Sequence, residues 1–473
     1  MMPRTFLAAF AFTVSASASG PPPVYARLLD PIASYSTPGT PWRAVVTGSA
    51  SPTRPSPIPS GSILSGRVVR AQPLGLGLRR ERAILELAFD ACLNPSGAPF
   101  PCAAELQNVD NARERISANR VQGILPAGHP HSYLNGFWLR PRALLFPKSA
   151  AGLVGAGGAL HARVIPHPAA GVLIAGVRIL FLRLPNGEVE LPAGADLIVR
   201  VHAGTEHPFP QPAPIAPPIA PPIAGPLASL SPDVHHANGQ RAADLINLAF
   251  FGSRQALETA FLAAGWFPAA PLTPRTFART YAAYAAMKPF PTAPVSPLLY
   301  EGQLPAIVFQ KSLNTLAKRH HIRIWPHPGQ PDIWLGSATH DVGVGLEPAR
   351  KTITHKIDRH IDRERLKVLT DLQFAGCIES HAPVERPLLA SPPSPKARIV
   401  TDGALFAVTL RPCSIPDSHP PVLHRPAHPF AASAFRRVVL ETRHYLVRGN
   451  PYFLAFRSAH WAATPKRRAA ELD

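Results

Sequence analysis

His321-Ile322-Arg323-Ile324-Trp325, with Ile333-Trp334-Leu335-Gly336-Ser337-Ala338 downstream, is the passage that most directly announces the fold. Branched and aromatic residues alternating with polar ones mark strands, in which successive side chains point to opposite faces. His321, Arg323 and Trp325 therefore share one face. Further strands are expected at 306–309 and near 352–355, and a short apolar element at 245–250. Helices interrupt them. Ser253 is a capping residue ahead of Ala256, Leu257, Ala260, Phe261 and Ala264 at helical spacing, and Gly265 is the stop. Thr273-Pro274 opens a second helix, because proline is tolerated at the first helical position; Phe277, Tyr281 and Tyr284 are expected along its buried side. A charged helix is expected at 363–374. Strands and helices in this order predict an α+β domain.

Upstream, residues 208–226 consist largely of Pro, Ile and Ala. Proline fixes φ and removes an amide donor, so this stretch reads as an extended, semi-rigid spacer. Ahead of it, strand-like runs appear at 43–46, 62–70, 83–89, 159–165 and 172–182. Pro59-Ser60-Gly61 and Pro192-Ala193-Gly194 each turn the chain into an apolar strand. Val109-Asp110 is followed by a polar element, Asn111-Ala112-Arg113-Glu114, to which spacing assigns no role. This half is similar to the small β-barrel modules of bacterial envelope proteins, including the conjugation outer-core type. The expected fold class is thus multidomain: a mainly-β, barrel-like domain over 24–203, a Pro-rich linker over 204–240, an α+β domain over 241–380 and an extension over 381–473.

The 473 residues allow two or three domains. Lys and Arg number 48 against 29 Asp and Glu, a net charge of +19, and only nine of the 48 are Lys. Arginine together with abundant Ala, Pro and Gly is what a GC-rich genome produces, so the charge is weak grounds for a nucleic-acid partner. The basic run Lys318-Arg319-His320-His321 has only Trp325 nearby as a stacking aromatic, which also argues against nucleic acid. Arg319 and Arg323 are candidate anion-binding residues. Arg4, the apolar run 6–14 and Ala16-Ser17-Ala18 read as a signal peptide over 1–18. Cys92 and Cys102 flank a turn-rich loop that a disulfide could close, and Cys377 and Cys413 are a second candidate pair; four cysteines allow three pairings. No C-x-x-C spacing marks a zinc site. The apolar stretch 150–184 is broken by His161, Arg163, Pro166, His167 and Arg178, so no transmembrane span is expected. Nor does a G-x-S-x-G elbow appear, and Gly152 to Gly158 lacks the Lys-Ser/Thr of a phosphate loop.

Between 248 and 378 the chain resembles the LssY C-terminal domain family. The resemblance rests on Phe251-Gly252-Ser253-Arg254 with Ala264-Gly265-Trp266, Ala293-Pro294-Val295-Ser296-Pro297-Leu298, and Val308-Phe309-Gln310-Lys311. It continues through Arg319-His320-His321-Ile322-Arg323-Ile324-Trp325, Trp334-Leu335-Gly336-Ser337-Ala338-Thr339-His340-Asp341-Val342-Gly343, His355-Lys356-Ile357-Asp358 and Asp362-Arg363-Glu364-Arg365. The family is named for a type I secretion component and also occurs fused to membrane phosphatase-like regions, so the resemblance implies identity more than activity.

The chemical lead is the set His321, His340, His355, Asp358 and Asp362; His320 and His360 lie beside the strongest motif positions and rank below them. Imidazole and carboxylate suit a divalent metal such as zinc, and an open coordination position would activate water. The expectation is an exported bacterial cell-envelope protein with a non-enzymatic binding or scaffold role, associated with secretion and meeting an envelope protein or an anionic membrane surface. The alternative is a metal-dependent hydrolase using the His/Asp cluster.

Overall fold

Alternation of apolar and polar residues builds the first sheet. In the computed structural model, β3 (Pro41–Ser49) turns Trp42, Ala44 and Val46 inward, each fully buried, while Pro41 and Arg43 face solvent. β4 (Ile63–Gln72) does the same with Leu64 and Val68, and β5 (Ile84–Leu93) with Leu85 and Leu87. The structure describes residues 20–51, 54–75, 82–124, 187–203, 221–236, 242–285, 287–347, 352–386, 389, 399–417, 420–426, 435 and 439. The expected signal peptide, the strands expected at 159–165 and 172–182, the glycine run and most of the spacer lie outside them.

Six more strands complete the nine-stranded sheet: β1 (Pro23–Leu28), β6 (Pro99–Phe100), which pairs with β5 off the main path, β7 (Cys102–Val109), β8 (Arg115–Ser117), β9 (Arg120–Gln122) and β11 (Asp196–Ala203); β2 (Ile32–Ala33) and β10 (Glu190–Leu191) pair with each other separately. Their order is β7-β11-β1-β3-β4-β5-β9-β8. The sheet curls until its ends meet: Leu106 on β7 donates its N–H to Asn119 Oδ1 in the β8–β9 turn at 2.7 Å. Register shifts at Tyr25/Ala26 and Ile198/Val199 accompany this curvature, as bulges bend the strand that carries them. The module is thus barrel-like and nearly closed, and the Cys92–Cys102 disulfide joins β5 to β7. Both Pro-x-Gly segments are closed turns, with Ser62 N–H bonded to Pro59 O and Ala195 N–H to Pro192 O.

The second module is an eight-stranded sheet. Its main path is β15 (Phe267–Pro268), β17 (Ile307–Thr315), β18 (Lys318–His327), β19 (Gln330–Glu347), β14 (Leu248–Phe251), β22 (Leu405–Leu410) and β21 (Ile378–Val384), with β20 (Thr352–Ile357) paired to β19. Leu248, Phe250, Phe309, Ile322, Ile324 and Trp334 pack on one face against α2 (Arg254–Ala263) and α4 (Ile361–Phe374). Ala249, Trp325 and Leu335 pack on the other, over β12 (Asp233–His236), β13 (Ala242–Leu245) and β16 (Leu298–Leu299). This is the expected mainly-β module followed by an α+β module.

Local signals act as read at α2. Ser253 Oγ accepts from Ala256 N–H at 3.2 Å, and Gly265 at φ +80° takes the left-handed position after the helix. Gly265 N–H bonds Leu262 O and Trp266 N–H bonds Phe261 O, so the chain reverses and Trp266 meets Phe261 edge-on at 5.7 Å.

Three expectations are corrected. The spacer does not stay extended to 226: α1 (Pro221–Ala228) is helical with Pro226 inside it, and Leu227, 1% exposed, packs with Val234 and Trp325. Tertiary burial there overrides the proline penalty. In α3 (Pro274–Ala285), Phe277 is 65% exposed, because Ala283 is the residue packed against Phe290, Ala293 and Leu316. Six residues on in a helix is about 240° round, so Phe277 turns away; the side chains of Tyr281 and Tyr284 lie outside the described residues. Finally, the second module does not end at 380. β22 pairs in parallel with β14, and Cys413 is disulfide-bonded to Cys377, so the segment after 380 completes the sheet.

Candidate functional site

The two modules meet through buried charge. Arg27 on β1 and Asp196 on β11 come from the first module; Lys311 on β17 and Lys367 and Asp371 on α4 come from the second. Asp196 Oδ1 accepts from Arg27 Nε at 2.9 Å, and its Oδ2 accepts from Lys311 Nζ at 2.9 Å and Lys367 Nζ at 2.8 Å. Asp371 Oδ1 accepts from Arg27 Nη2 at 2.7 Å and Lys367 Nζ at 2.6 Å, and its Oδ2 from Lys311 Nζ at 3.2 Å and Trp266 Nε1 at 3.0 Å. Both aspartate side chains are 0% exposed.

Local structure explains the convergence. Glu364, Lys367 and Asp371 recur at i, i+3 and i+7, so one stripe of α4 carries all three. The turn at Gly265 aims Trp266 at Asp371. Gly48 on β3 lets the helix approach: a Cβ there would lie 2.7 Å from Thr370 Cγ2. Burial opposes ionisation of both aspartates, but the cations outweigh it. Arg27, Lys311 and Lys367 hold Asp196 well below the usual carboxylate range, and Lys311, Lys367 and Arg27 lower Asp371. Burial pushes Lys311 down, and so does neighbouring Arg27; for Lys367, burial is overcome by Asp196 and Asp371, which push it up.

A second centre adjoins the first. Asp110 follows β7, and its N–H bonds Asp196 O at 2.9 Å. Its Oδ2 lies 2.7 Å from His320 Nε2, while Glu364 Oε2 lies 2.6 Å from His320 Nδ1. Two carboxylates on two ring nitrogens call for the doubly protonated imidazolium. Burial disfavours that cation, yet Asp110 and Glu364 prevail and raise His320 to about 10. Asp110, penalised by burial but facing His320, falls to about 2. His340 stacks on His320 with centroids 4.4 Å apart and planes 19° apart, and its Nε2 lies 2.6 Å from Asn111 Oδ1. Burial and the His320 cation hold His340 below the usual histidine value.

The polar element after Val109 is therefore the docking loop of the first module. Lys318 Nζ donates to Ala112 O at 2.6 Å, Asn314 Nδ2 to Glu114 Oε2 at 2.9 Å and Arg113 Nη1 to Met287 O at 3.0 Å. A cavity of about 10 Å³ beside it, lined by Asp110, Asn111, Asp196, Lys311 and Asn314 among others, has room for about one water.

The nominated residues whose side chains are described do not share one pocket. His321 faces away from α4, with Nε2 2.9 Å from Thr339 Oγ1 and Nδ1 3.8 Å from Asp341. His340 joins the His320 centre. Asp358 Oδ1 accepts from His360 N–H at 3.0 Å, and Asp362 accepts from Thr401 Oγ1 and Asp402 N–H, both at 2.8 Å. His355 sits on β20 opposite Val344; its side chain lies outside the described residues. Arg319 is buried against Asp341 and Gln310, and Arg323 against Asp244, so carboxylates already meet both charges. Among the described residues, the set that does bring three such ligand atoms within 4.8 Å is His320, His340 and Glu364.

Reasoning by motif ranked His320 below its neighbours and did not nominate Asp110, Asp196, Lys311, Glu364, Lys367 or Asp371, which the structure brings together with it. Two signals pointed to them: a polar Asp-Asn-Ala-Arg-Glu run at the end of an apolar strand, and the 364/367/371 stripe. Residues 229–405 match the family model described as LssY C-terminus. A comparison with curated proteins finds no match.

Proposed function

We propose that this chain, whose residues 229–405 form an LssY C-terminal domain, is an exported cell-envelope protein with a non-enzymatic binding or scaffold role associated with secretion. The observation carrying this reading is the sealed interface. Arg27, Lys311 and Lys367 are matched against Asp196 and Asp371 inside it, and the adjoining cavity has room for about one water. Such a network fixes one docking geometry between the modules, which suits a rigid adaptor. A catalytic centre needs space for a substrate beside its reactive groups. The Cys92–Cys102 and Cys377–Cys413 disulfides favour an oxidising compartment, and the signal-like start agrees with it.

Fractionation of cells producing the full chain tests the export part, with thiol trapping before lysis. A periplasmic or envelope-bound protein with blocked thiols is expected; a reduced cytosolic protein would overturn it. For the non-enzymatic part, chromogenic phosphate and carboxylate esters are assayed with Mn²⁺, Mg²⁺ or Zn²⁺ added. No turnover is expected, whereas metal-dependent hydrolysis lost in Glu364→Gln would favour the hydrolase.

A further inference from the structure

The ion network and the His320 centre differ in one respect. Asp196 and Asp371 have donors on both oxygens, whereas Glu364 does not. Glu364 is 2% exposed; its Oε2 meets His320 Nδ1, and among the described residues no donor reaches its Oε1. A buried carboxylate oxygen without a partner is a costly arrangement that an adjacent cation would relieve. The atoms for such a cation are present, since one nitrogen each from His320 and His340 and one Glu364 oxygen lie within 4.8 Å of one another. Zinc bonds of about 2.0–2.2 Å place tetrahedral ligand atoms about 3.4 Å apart, well inside that span.

The surroundings match what metal-bound imidazoles require. A ligating histidine usually gives its other N–H to a carboxylate or carbonyl, which fixes tautomer and ring orientation. Asp110 Oδ2 stands 2.7 Å from His320 Nε2 and would hold the Nε2 proton, so that an ion displacing the Nδ1 proton would meet the Nδ1 lone pair on the side of Glu364. Asn111 Oδ1 stands 2.6 Å from Nε2 of His340 and holds that ring against His320.

We propose that His320, His340 and Glu364 bind one divalent transition-metal ion, zinc by ligand chemistry, with Asp110 and Asn111 as positioning residues. The ion would be a clip. Its ligands lie on β18, β19 and α4, and the groups that orient them lie on the first module's docking loop, so binding tightens the junction between modules. This assignment is independent of export and of the absence of turnover.

The test uses the oxidised full-length protein, stripped with EDTA and titrated with ZnCl₂ against a chromophoric chelator. One equivalent is expected to bind, with affinity reduced at least 100-fold in His340→Gln and in Glu364→Gln, and with Mg²⁺ unable to compete. Zinc is expected to raise the Tm of the parent by several degrees and to leave that of both variants unmoved. Co²⁺ provides a readout that needs no variant: the parent should show the visible absorption of a four-coordinate nitrogen/oxygen site. No stoichiometric zinc in the parent would overturn the proposal. So would zinc retained by both variants, because the ion would then sit on other histidines.

Discussion

Asp196→Asn isolates what the buried network contributes. Asp196 accepts from Arg27, Lys311 and Lys367 at 2.8–2.9 Å with its side chain 0% exposed. The amide is isosteric but uncharged, and its NH₂ group faces cations in place of an acceptor. Three buried cations would then share Asp371 alone. Removing one partner from a buried ion pair costs about 3–5 kcal/mol, since the remaining charge stays desolvated. At about 1.4 kcal/mol per tenfold, that lowers the folding constant by roughly two to three and a half powers of ten, a large fraction of ordinary domain stability. Urea denaturation of the oxidised protein, followed by tryptophan fluorescence, should show a lower midpoint. The double variant Asp196→Asn/Lys311→Met should recover part of the loss, because it removes the cation that burial already disfavours. A single variant within 1 kcal/mol of the parent would refute the reasoning, as would a double variant losing the full sum of the two single effects.

The same network sets a pH dependence. Asp196 and Asp371 are both lowered in the folded state, so their contribution is fully present above the ordinary aspartate value of about 3.9 and is lost as pH falls through the folded values; urea midpoints should drop below about pH 4, more steeply in the parent than in Asp196→Asn. Gly48→Ala should destabilise by about 1–3 kcal/mol through overpacking against Thr370 Cγ2, and Thr370→Ser, which deletes that methyl group, should restore most of the Tm. Replacing Cys377 and Cys413 with Ser opens a 36-residue separation and should cost about 4 kcal/mol; opening the 10-residue Cys92–Cys102 loop should cost about 3. Denaturation of the two double variants side by side checks the order.

Much of the architecture was legible because it is encoded over short range. The strands expected at 43–46 and 333–338 fall within β3 and β19, and those at 62–70 and 83–89 overlap β4 and β5 to within one residue, since alternation depends only on which neighbours are apolar. Ser253 and Gly265 bounded α2 because caps and left-handed turns act within a few residues. Phe277 and Leu227 went the other way: one was expected inside and lies outside, the other joins a core from within a proline-rich run. Packing partners distant in sequence decided both.

The candidate site depended almost entirely on tertiary structure. Spacing drew attention to histidines and aspartates between 320 and 362, and it separated His320 from His321 by face. Which face matters follows from where α4 packs: it lies over Ile322 and Ile324, hence over His320. Asp196 and Asp371 are 175 residues apart, and Asp110 and His320 are 210 apart. A stripe such as Glu364, Lys367 and Asp371 reads equally well as a solvated helix face until a second module covers it. Sequence alone therefore determined the order of a mainly-β and an α+β module, several of their strands, the caps of α2 and the resemblance of the second module, all set by local pattern. Which charges are buried, and how they pair, was decided only when the two modules closed on one another and removed the water that would otherwise have screened them.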